Sequence, residues 1–171
     1  MMLRRATSAL VALAALAGAG ACTDVKAAER AAATTKVKPI DAGKIPSEIL
    51  GLKVSPETVK DLSSSHGAYV DQAALYGLRQ GDLLEATLQL TRFNDAAKPT
   101  QRDFQQRIIA KLGGSVPRPV RMGTQTVYFT TAAKQTLAIW FKGRMLYVLS
   151  AREDYAFPRS LVRAALEIPS S

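Results

Sequence analysis

The chain has 171 residues, 22% of them charged, with a formal net charge of +9 and a single cysteine. One cysteine excludes an intrachain disulfide, so a folded domain of this length is held together by its core alone. The positive excess favours anionic partner surfaces such as lipid headgroups or acidic glycans.

The first 22 residues have the layout of an export signal. Arg4 and Arg5 precede an apolar run over residues 9–17, and small residues over 18–21 lead to Cys22. An apolar run of nine residues falls well short of the roughly 20 needed to cross a bilayer, which favours a removed signal segment over a transmembrane helix. Removing residues 1–21 lowers the net charge to +7 because two arginines and no acidic residue are lost.

Residues Ala19-Gly20-Ala21-Cys22 resemble the lipobox of bacterial lipoproteins, and the Ala-rich and Gly-rich style of residues 6–35 is typical of an actinobacterial one. The resemblance implies that the Cys22 thiol carries fatty acyl chains, palmitate among them, and that the protein is anchored at the extracytoplasmic face of the cell membrane. Ala19 stands where the family usually has leucine, and Ala19-Gly20-Ala21 also satisfies the A-x-A rule of ordinary cleavage. Secretion therefore remains the alternative, and in either case no nucleic-acid partner is expected.

The domain division follows from composition. Residues 1–21 are interpreted as the signal peptide, and residues 22–45 as the lipidated N-terminus with a flexible tether, because large apolar side chains are few there. Residues 46–171 are interpreted as one α+β domain.

The first half of that domain is predicted to contain a helix and a hairpin. Ser55 followed by Pro56 is typical of a helix start and predicts a helix over 56–62. Residues 69–78 and 83–93 then flank a polar turn over 79–82, and alternating apolar residues give the second strand one buried face and one polar face.

The second half is predicted as helix, three strands and helix. Thr100 and Asp103 resemble a capping box, and Gly113-Gly114 ends a helix whose apolar face carries Phe104, Ile108, Ile109 and Leu112. Strands follow over 126–131, 136–141 and 144–151, the last two joined at Lys142-Gly143. A closing helix has Pro158 in its first turn and is stopped by Pro169. This order predicts an α+β fold: a single antiparallel sheet of about five strands with helices on one face.

One aromatic cluster is the predicted binding site. A turn flanked by Phe141 and Arg144 would place Trp140 opposite Met145 and would put Tyr147 on the same face. With Tyr128, this face would form an apolar surface for a ligand or partner. The alternative is packing, in which the segment containing Ile45, Ile49, Leu50 and Leu52 folds over these side chains and buries them.

No reaction motif accompanies this cluster. His66, the sole histidine, lies beside Ser63, Ser64 and Ser65 in one short turn, which favours a solvated loop over a catalytic triad. With one histidine and one cysteine, neither a metal site nor a cofactor is expected. Basic residues could form a patch for an acidic partner, or belong to an ordinary solvated surface; they are Arg102, Arg107, Lys111, Arg118, Arg121, Lys142, Arg144, Arg152, Arg159 and Arg163.

The leading functional prediction is a membrane-tethered extracytoplasmic binding domain that docks a protein partner or an amphiphilic envelope component. The alternatives are a small envelope hydrolase or transferase whose site is not evident from residue spacing, and a structural or sensory subunit of a membrane complex.

Overall fold

The computed structural model describes residues 38–40, 45–57, 69–152 and 159–169. These ranges contain nine strands, two α-helices and a short 3-10 helix at Asp95–Ala97, joined by turns and loops. The strands are β1 (Lys38–Pro39), β2 (Glu48–Ile49), β3 (Leu52–Glu57), β4 (Val70–Gln80), β5 (Leu83–Phe93), β6 (Arg118–Met122), β7 (Gln125–Ala132), β8 (Gln135–Lys142) and β9 (Met145–Arg152). The helices are α1 (Arg102–Leu112) and α2 (Arg159–Leu166).

The described strands form a single sheet built from two antiparallel meanders. Strands β2 to β5 make the first and β6 to β9 the second, and their last strands pair, giving the order β2-β3-β4-β5-β9-β8-β7-β6. Strand β1 pairs in parallel with β4 beyond the end of β3. The α+β class is confirmed, whereas the sheet has nine described strands and not about five.

The β8–β9 turn differs from the prediction by one residue. Lys142 pairs with Met145, so the turn residues are Gly143 and Arg144, and Gly143 takes a φ of +59°. Positive φ is what a tight hairpin turn needs at this place, and glycine adopts it without strain. The register therefore moves by two residues, so Trp140 lies opposite Tyr147 and not opposite Met145. Because side chains alternate with period two, the assignment of these residues to one face is unaffected.

Each face of the sheet carries its own apolar cluster and its own helix. Strand β8 explains why: Leu137 to Phe141 are all buried, which requires cover on both faces. The helices therefore do not lie on one face, as predicted, but on opposite faces. The α2 face includes Leu78, Leu88, Trp140, Tyr147, Leu149, Leu161 and Val162. The α1 face includes Val70, Phe93, Phe104, Ile108, Leu137, Ile139, Leu146 and Val148.

The predicted helix over 56–62 is wrong where the structure describes it. Pro56 and Glu57 belong to β3, where they pair with Tyr76 and Leu75 of β4, and residues 58–62 lie outside the described ranges. Strand β2 pairs with β3 only as far as Lys53. Pro56 therefore lies on the outer edge of the sheet, where its missing N–H removes no ladder hydrogen bond.

The folded domain includes residues that were predicted as tether. Lys38 and Pro39 pair with Gln72 and Ala73 of β4, and Ile40 is buried in the α2-face cluster. Ile45 packs against the same cluster. The proposed boundary at residue 46 is therefore wrong for these residues, and the rest of the predicted tether lies outside the described ranges.

Helix α1 has the predicted apolar face but a different start. Its N-cap is Gln101, which makes no side-chain capping bond, so Thr100 and Asp103 do not form the predicted capping box. The helix ends at Leu112, as predicted, and the Gly113 N–H donates to Ile109 O at 3.0 Å. Phe104 meets Phe93 of β5 edge to face, with ring centroids 5.0 Å apart, which fixes this end of the helix on the sheet.

Two buried threonines on the α1 face give a matched stability test. Among the described residues, Thr91 Oγ1 has no hydrogen-bond partner, whereas Thr130 Oγ1 donates to Ser115 O at 2.9 Å. We expect Thr91→Val to raise the free energy of unfolding by about 1 kcal/mol, because an unpaired buried hydroxyl is replaced by a methyl group. Thr130→Val should lower it by about 1 to 2 kcal/mol, because Ser115 O loses its donor. Urea unfolding of both variants tests this, and equal shifts of the same sign would contradict it.

Candidate functional site

Three of the four predicted aromatic-cluster residues come together. Trp140 and Tyr147 pair across β8 and β9, and their rings stack with centroids 5.2 Å apart and planes 8° from parallel. Met145 lies on the same face and belongs to the same cluster. The exposed fractions of Trp140, Met145 and Tyr147 are 1%, 2% and 0%, so this cluster is core and not an accessible surface.

Tyr128 lies on the other face of the sheet. It pairs with Ile139 of β8 and packs, half-buried, against the α1-face cluster. Its assignment to a site with Trp140 is therefore wrong. The β7–β8 turn, Ala133-Lys134, contains no glycine, so the sequence gives no clear indication of the register that decides this face.

The aromatic cluster is covered from two directions. Ile49 and Leu52 of the first hairpin and Leu161 and Val162 of α2 belong to the same buried cluster, whereas Leu50 points outward and is 58% exposed. The packing alternative thus explains these residues better than a docking surface does.

The segment after α2 is also bound to the sheet. Tyr147 Oη donates to Pro169 O at 3.1 Å, and Lys142 Nζ donates to Ile168 O at 3.2 Å. Ile168 itself is 2% exposed within the α2-face cluster. These contacts hold residues 167–169 against β8 and β9, which closes this side of the aromatic cluster.

Burial raises the pKa of Tyr147 from 10.0 to about 12. The neutral phenol is therefore favoured in the folded state, and this contribution is complete below pH 10 and lost as the pH rises through about 12. We expect the free energy of unfolding, measured with urea, to fall between pH 9 and pH 11.5 by on the order of 1 to 2 kcal/mol more in the native chain than in Tyr147→Phe. Parallel pH profiles for the two proteins would contradict this.

The α1 face is only partly apolar, and its remaining part is a polar strip. The strip runs across β3, β4, β5, β9 and β8, as the pairings Ser55 to Gly77, Gly77 to Thr87 and Thr87 to Ser150 show. Apart from Ser150, which is 9% exposed, its polar side chains are half-buried. The strip consists of Ser55, Glu57, Arg79, Thr87, Gln89, Gln135 and Ser150, with Gly77 between Ser55 and Thr87.

Two side-chain interactions fix the ends of the polar strip. Arg79 Nη2 donates to Glu57 Oε1 at 2.7 Å and its Nη1 donates to Asp82 O at 3.3 Å. Ser150 Oγ donates to Gln135 Oε1 at 2.8 Å. A Cβ at Gly77 would clash with Glu57 Oε1 and lie 3.0 Å from Leu84 Cδ1, so glycine is what lets the carboxylate cross β4.

The sequence contains one indication of the polar strip. The polar positions of β5, including Thr87 and Gln89, were predicted to face away from the core, and they do line this strip. Ser55 and Glu57 were instead predicted in a helix start, so their place beside Arg79 was missed.

The basic residues do not form one patch. Arg102, Arg107 and Lys111 are exposed on α1, whereas Arg159 and Arg163 are exposed on α2, on the opposite side of the sheet. Arg144 pairs with Asp95 at 2.8 Å, and Lys142 is bound to the carbonyl of Ile168. Arg118 and Arg121 lie exposed on the edge strand β6, and the side chain of Arg152 is outside the described part.

The residues considered for a hydrolase site belong to the part of the chain before Tyr69. Ser63, Ser64, Ser65 and His66 lie outside the described ranges. In the ranges that are described, no three His, Cys, Asp or Glu side chains are grouped as a metal site would require. Neither of the helices described, of 11 and 8 residues, is long and apolar enough to cross a membrane.

No family model matches the chain, and no curated protein matches it. Among solved structures it is similar to a GTP binding regulator from Thermotoga maritima, with 10% sequence identity and a TM-score of 0.41 over 68% of this chain and 77% of that chain. At that TM-score the likeness carries no argument.

Proposed function

We propose that this protein is an extracytoplasmic binding domain, held at the cell membrane by acyl chains on Cys22, that receives an envelope component at the polar strip. The observation that carries the binding role is the uneven covering of the sheet. The aromatic cluster on the α2 face is buried, whereas on the α1 face the apolar residues gather near α1 and leave the polar strip half-buried.

The chemistry of the polar strip suits a partner rich in hydroxyl, amide or carboxylate groups. Thr87 and Ser150 carry hydroxyl groups, and Gln89 and Gln135 carry amides that both donate and accept hydrogen bonds. Arg79 is held in place by Glu57, so its guanidinium is already oriented before a partner arrives. Such fixed polar groups on a sheet surface give orientation and specificity to binding.

The anchoring part of the proposal is tested at Cys22. We expect the native chain to incorporate an alkyne-labelled palmitate and to partition with membranes. Cys22→Ala should lose the label and, if the A-x-A site is then used, release soluble protein into the medium. A native chain that takes up no palmitate label, or a Cys22→Ala chain that keeps it, would contradict anchoring by this residue.

The binding part is tested by photo-crosslinking in intact cells. A photoreactive residue in place of Gln89 would lie in the polar strip, and the same residue in place of Gln106 would lie on the exposed side of α1 as a control. We expect an adduct of defined mass from position 89 and not from position 106. No adduct at position 89, or the same adducts at both positions, would contradict a binding role for the strip.

A further inference from the structure

Most exposed large apolar side chains of the described ranges lie at one end of the sheet. Leu50 is 58% exposed in the β2–β3 turn, and Leu83 is 60% exposed directly after the β4–β5 turn. The pairing of Lys53 with Arg79 brings these two turns to the same end, side by side. Tyr69, which is 43% exposed, precedes β4 and lies at the opposite end.

Val116 is 86% exposed and lies in the same half of the sheet as the two leucines. It follows Ser115, whose backbone N–H donates to Thr131 O near the β7–β8 turn. The registers through β8 and β9 place Thr131 level with Ala86 of β5, so Val116 lies a few residues back from the β4–β5 turn. We call Leu50, Leu83 and Val116 together the apolar tips.

Leu50 combines an unfavourable backbone conformation with an exposed apolar side chain. Leu50 has a φ of +50°, a left-handed conformation that glycine or asparagine adopts at less cost. An apolar side chain that is mostly in water contributes little to the core. Neither local backbone preference nor packing therefore accounts for a leucine at this turn.

A lipid bilayer fits the apolar tips better than a protein partner does. Interface hot spots are enriched in Trp, Tyr and Arg, whereas leucine and valine are under-represented there. The tips are aliphatic and lie in or next to three separate connections, so they can enter a bilayer interface without a complementary pocket. Charges at this end are mixed: Lys53, Arg79 and Lys134 are basic, and Glu48 and Asp82 are acidic. Apolar contact and not headgroup charge should therefore dominate.

The length of chain before β1 permits this orientation. Lys38 pairs with Gln72 near the start of β4, at the end opposite the apolar tips. The 16 residue steps from Cys22 to Lys38 can span at most about 55 Å. Strands β4 and β5, of 11 residues each, are about 35 Å long. A lipid on Cys22 and the tips can therefore reach the same bilayer.

We infer that the apolar tips are a second membrane contact, which inserts Leu50, Leu83 and Val116 into the interface of the bilayer that holds the anchor. The inference rests on the proposed anchoring for its location. The contact itself does not need the acyl chains, so the two are tested separately.

The test uses the processed chain from residue 22 with Cys22→Ala, so that no acyl chain contributes. Co-sedimentation with vesicles of equal parts phosphatidylcholine and phosphatidylglycerol measures partitioning. We expect Leu50→Asn combined with Leu83→Ser to weaken partitioning by at least about 10-fold, because two leucine side chains leave the bilayer. Both positions are exposed, and circular dichroism checks that the variant is folded.

Tyr69→Ser is the matched control, because it removes an exposed apolar side chain from the opposite end of the sheet. It should partition as the parent chain does. Equal loss in the control and the leucine variant, unchanged partitioning of the leucine variant, or no binding of the parent chain would each overturn the inference. Failure of palmitate labelling at Cys22 would instead overturn the anchor and leave this result standing.

Discussion

Replacing Trp140 with alanine is expected to lower the free energy of unfolding by about 3 to 5 kcal/mol. Trp140 is 1% exposed and stacks on Tyr147 inside the α2-face cluster, so truncation leaves a large cavity as well as losing buried area. The surrounding β8 and β9 residues are held by pairing on both sides and cannot close that cavity fully. Urea unfolding followed by circular dichroism measures the change.

Tyr69→Ala provides the comparison for this prediction. Tyr69 is 43% exposed, and its truncation should change the free energy of unfolding by no more than about 0.5 kcal/mol. A Trp140→Ala protein as stable as Tyr69→Ala would mean that Trp140 is accessible in solution. The aromatic cluster would then again be a candidate docking surface.

Gly77→Ala is expected to destabilise the fold by about 2 kcal/mol. The new methyl group would meet Glu57 Oε1 and approach Leu84 Cδ1, so the carboxylate must move away from Arg79. The half-exposed ion pair alone is worth at most about 1 kcal/mol, and crowding supplies the rest. The midpoint of urea unfolding should fall accordingly.

A double-mutant cycle separates the clash from any other effect of the methyl group. In a Glu57→Ala background the main obstacle at Gly77 is gone, so Gly77→Ala should cost less than about 1 kcal/mol there. Equal costs in the two backgrounds would contradict the crossing of Glu57 over β4. The remaining contact with Leu84 Cδ1 is common to both backgrounds and does not affect the comparison.

The sequence predicts the centre of the sheet and not its edges. The five predicted strands correspond to β4, β5, β7, β8 and β9, which are neighbours in the middle of the sheet. Of the strands outside this centre, β1, β3 and β6 contain Pro39, Pro56 and Pro119, respectively. Proline argues against a strand when a sequence is considered alone, and it is tolerated where one side of the strand has no partner. Only the assembled sheet shows which strands lie there.

The candidate site is harder to predict because it depends on distant pairing. For any two-residue turn, period two places Trp140, Met145 and Tyr147 on one face, and this part of the prediction is confirmed. Whether that face is open depends on α2 and on the segment near Ile49, which are far away in sequence. The polar strip likewise requires the pairing of β5 with β9, which no local pattern indicates.

The strands that are covered on both faces of the sheet are also the segments most prone to aggregate while the chain folds. Residues 137–141 and 145–149 are almost continuously apolar, the composition typical of segments that stack between chains. The two-residue turn at Gly143 makes each of them the nearest partner of the other, and a hairpin closes in roughly 1 to 10 μs. Intramolecular closure on that timescale competes with contact between separate molecules, so lengthening this turn should reduce the yield of soluble protein before it affects the finished fold.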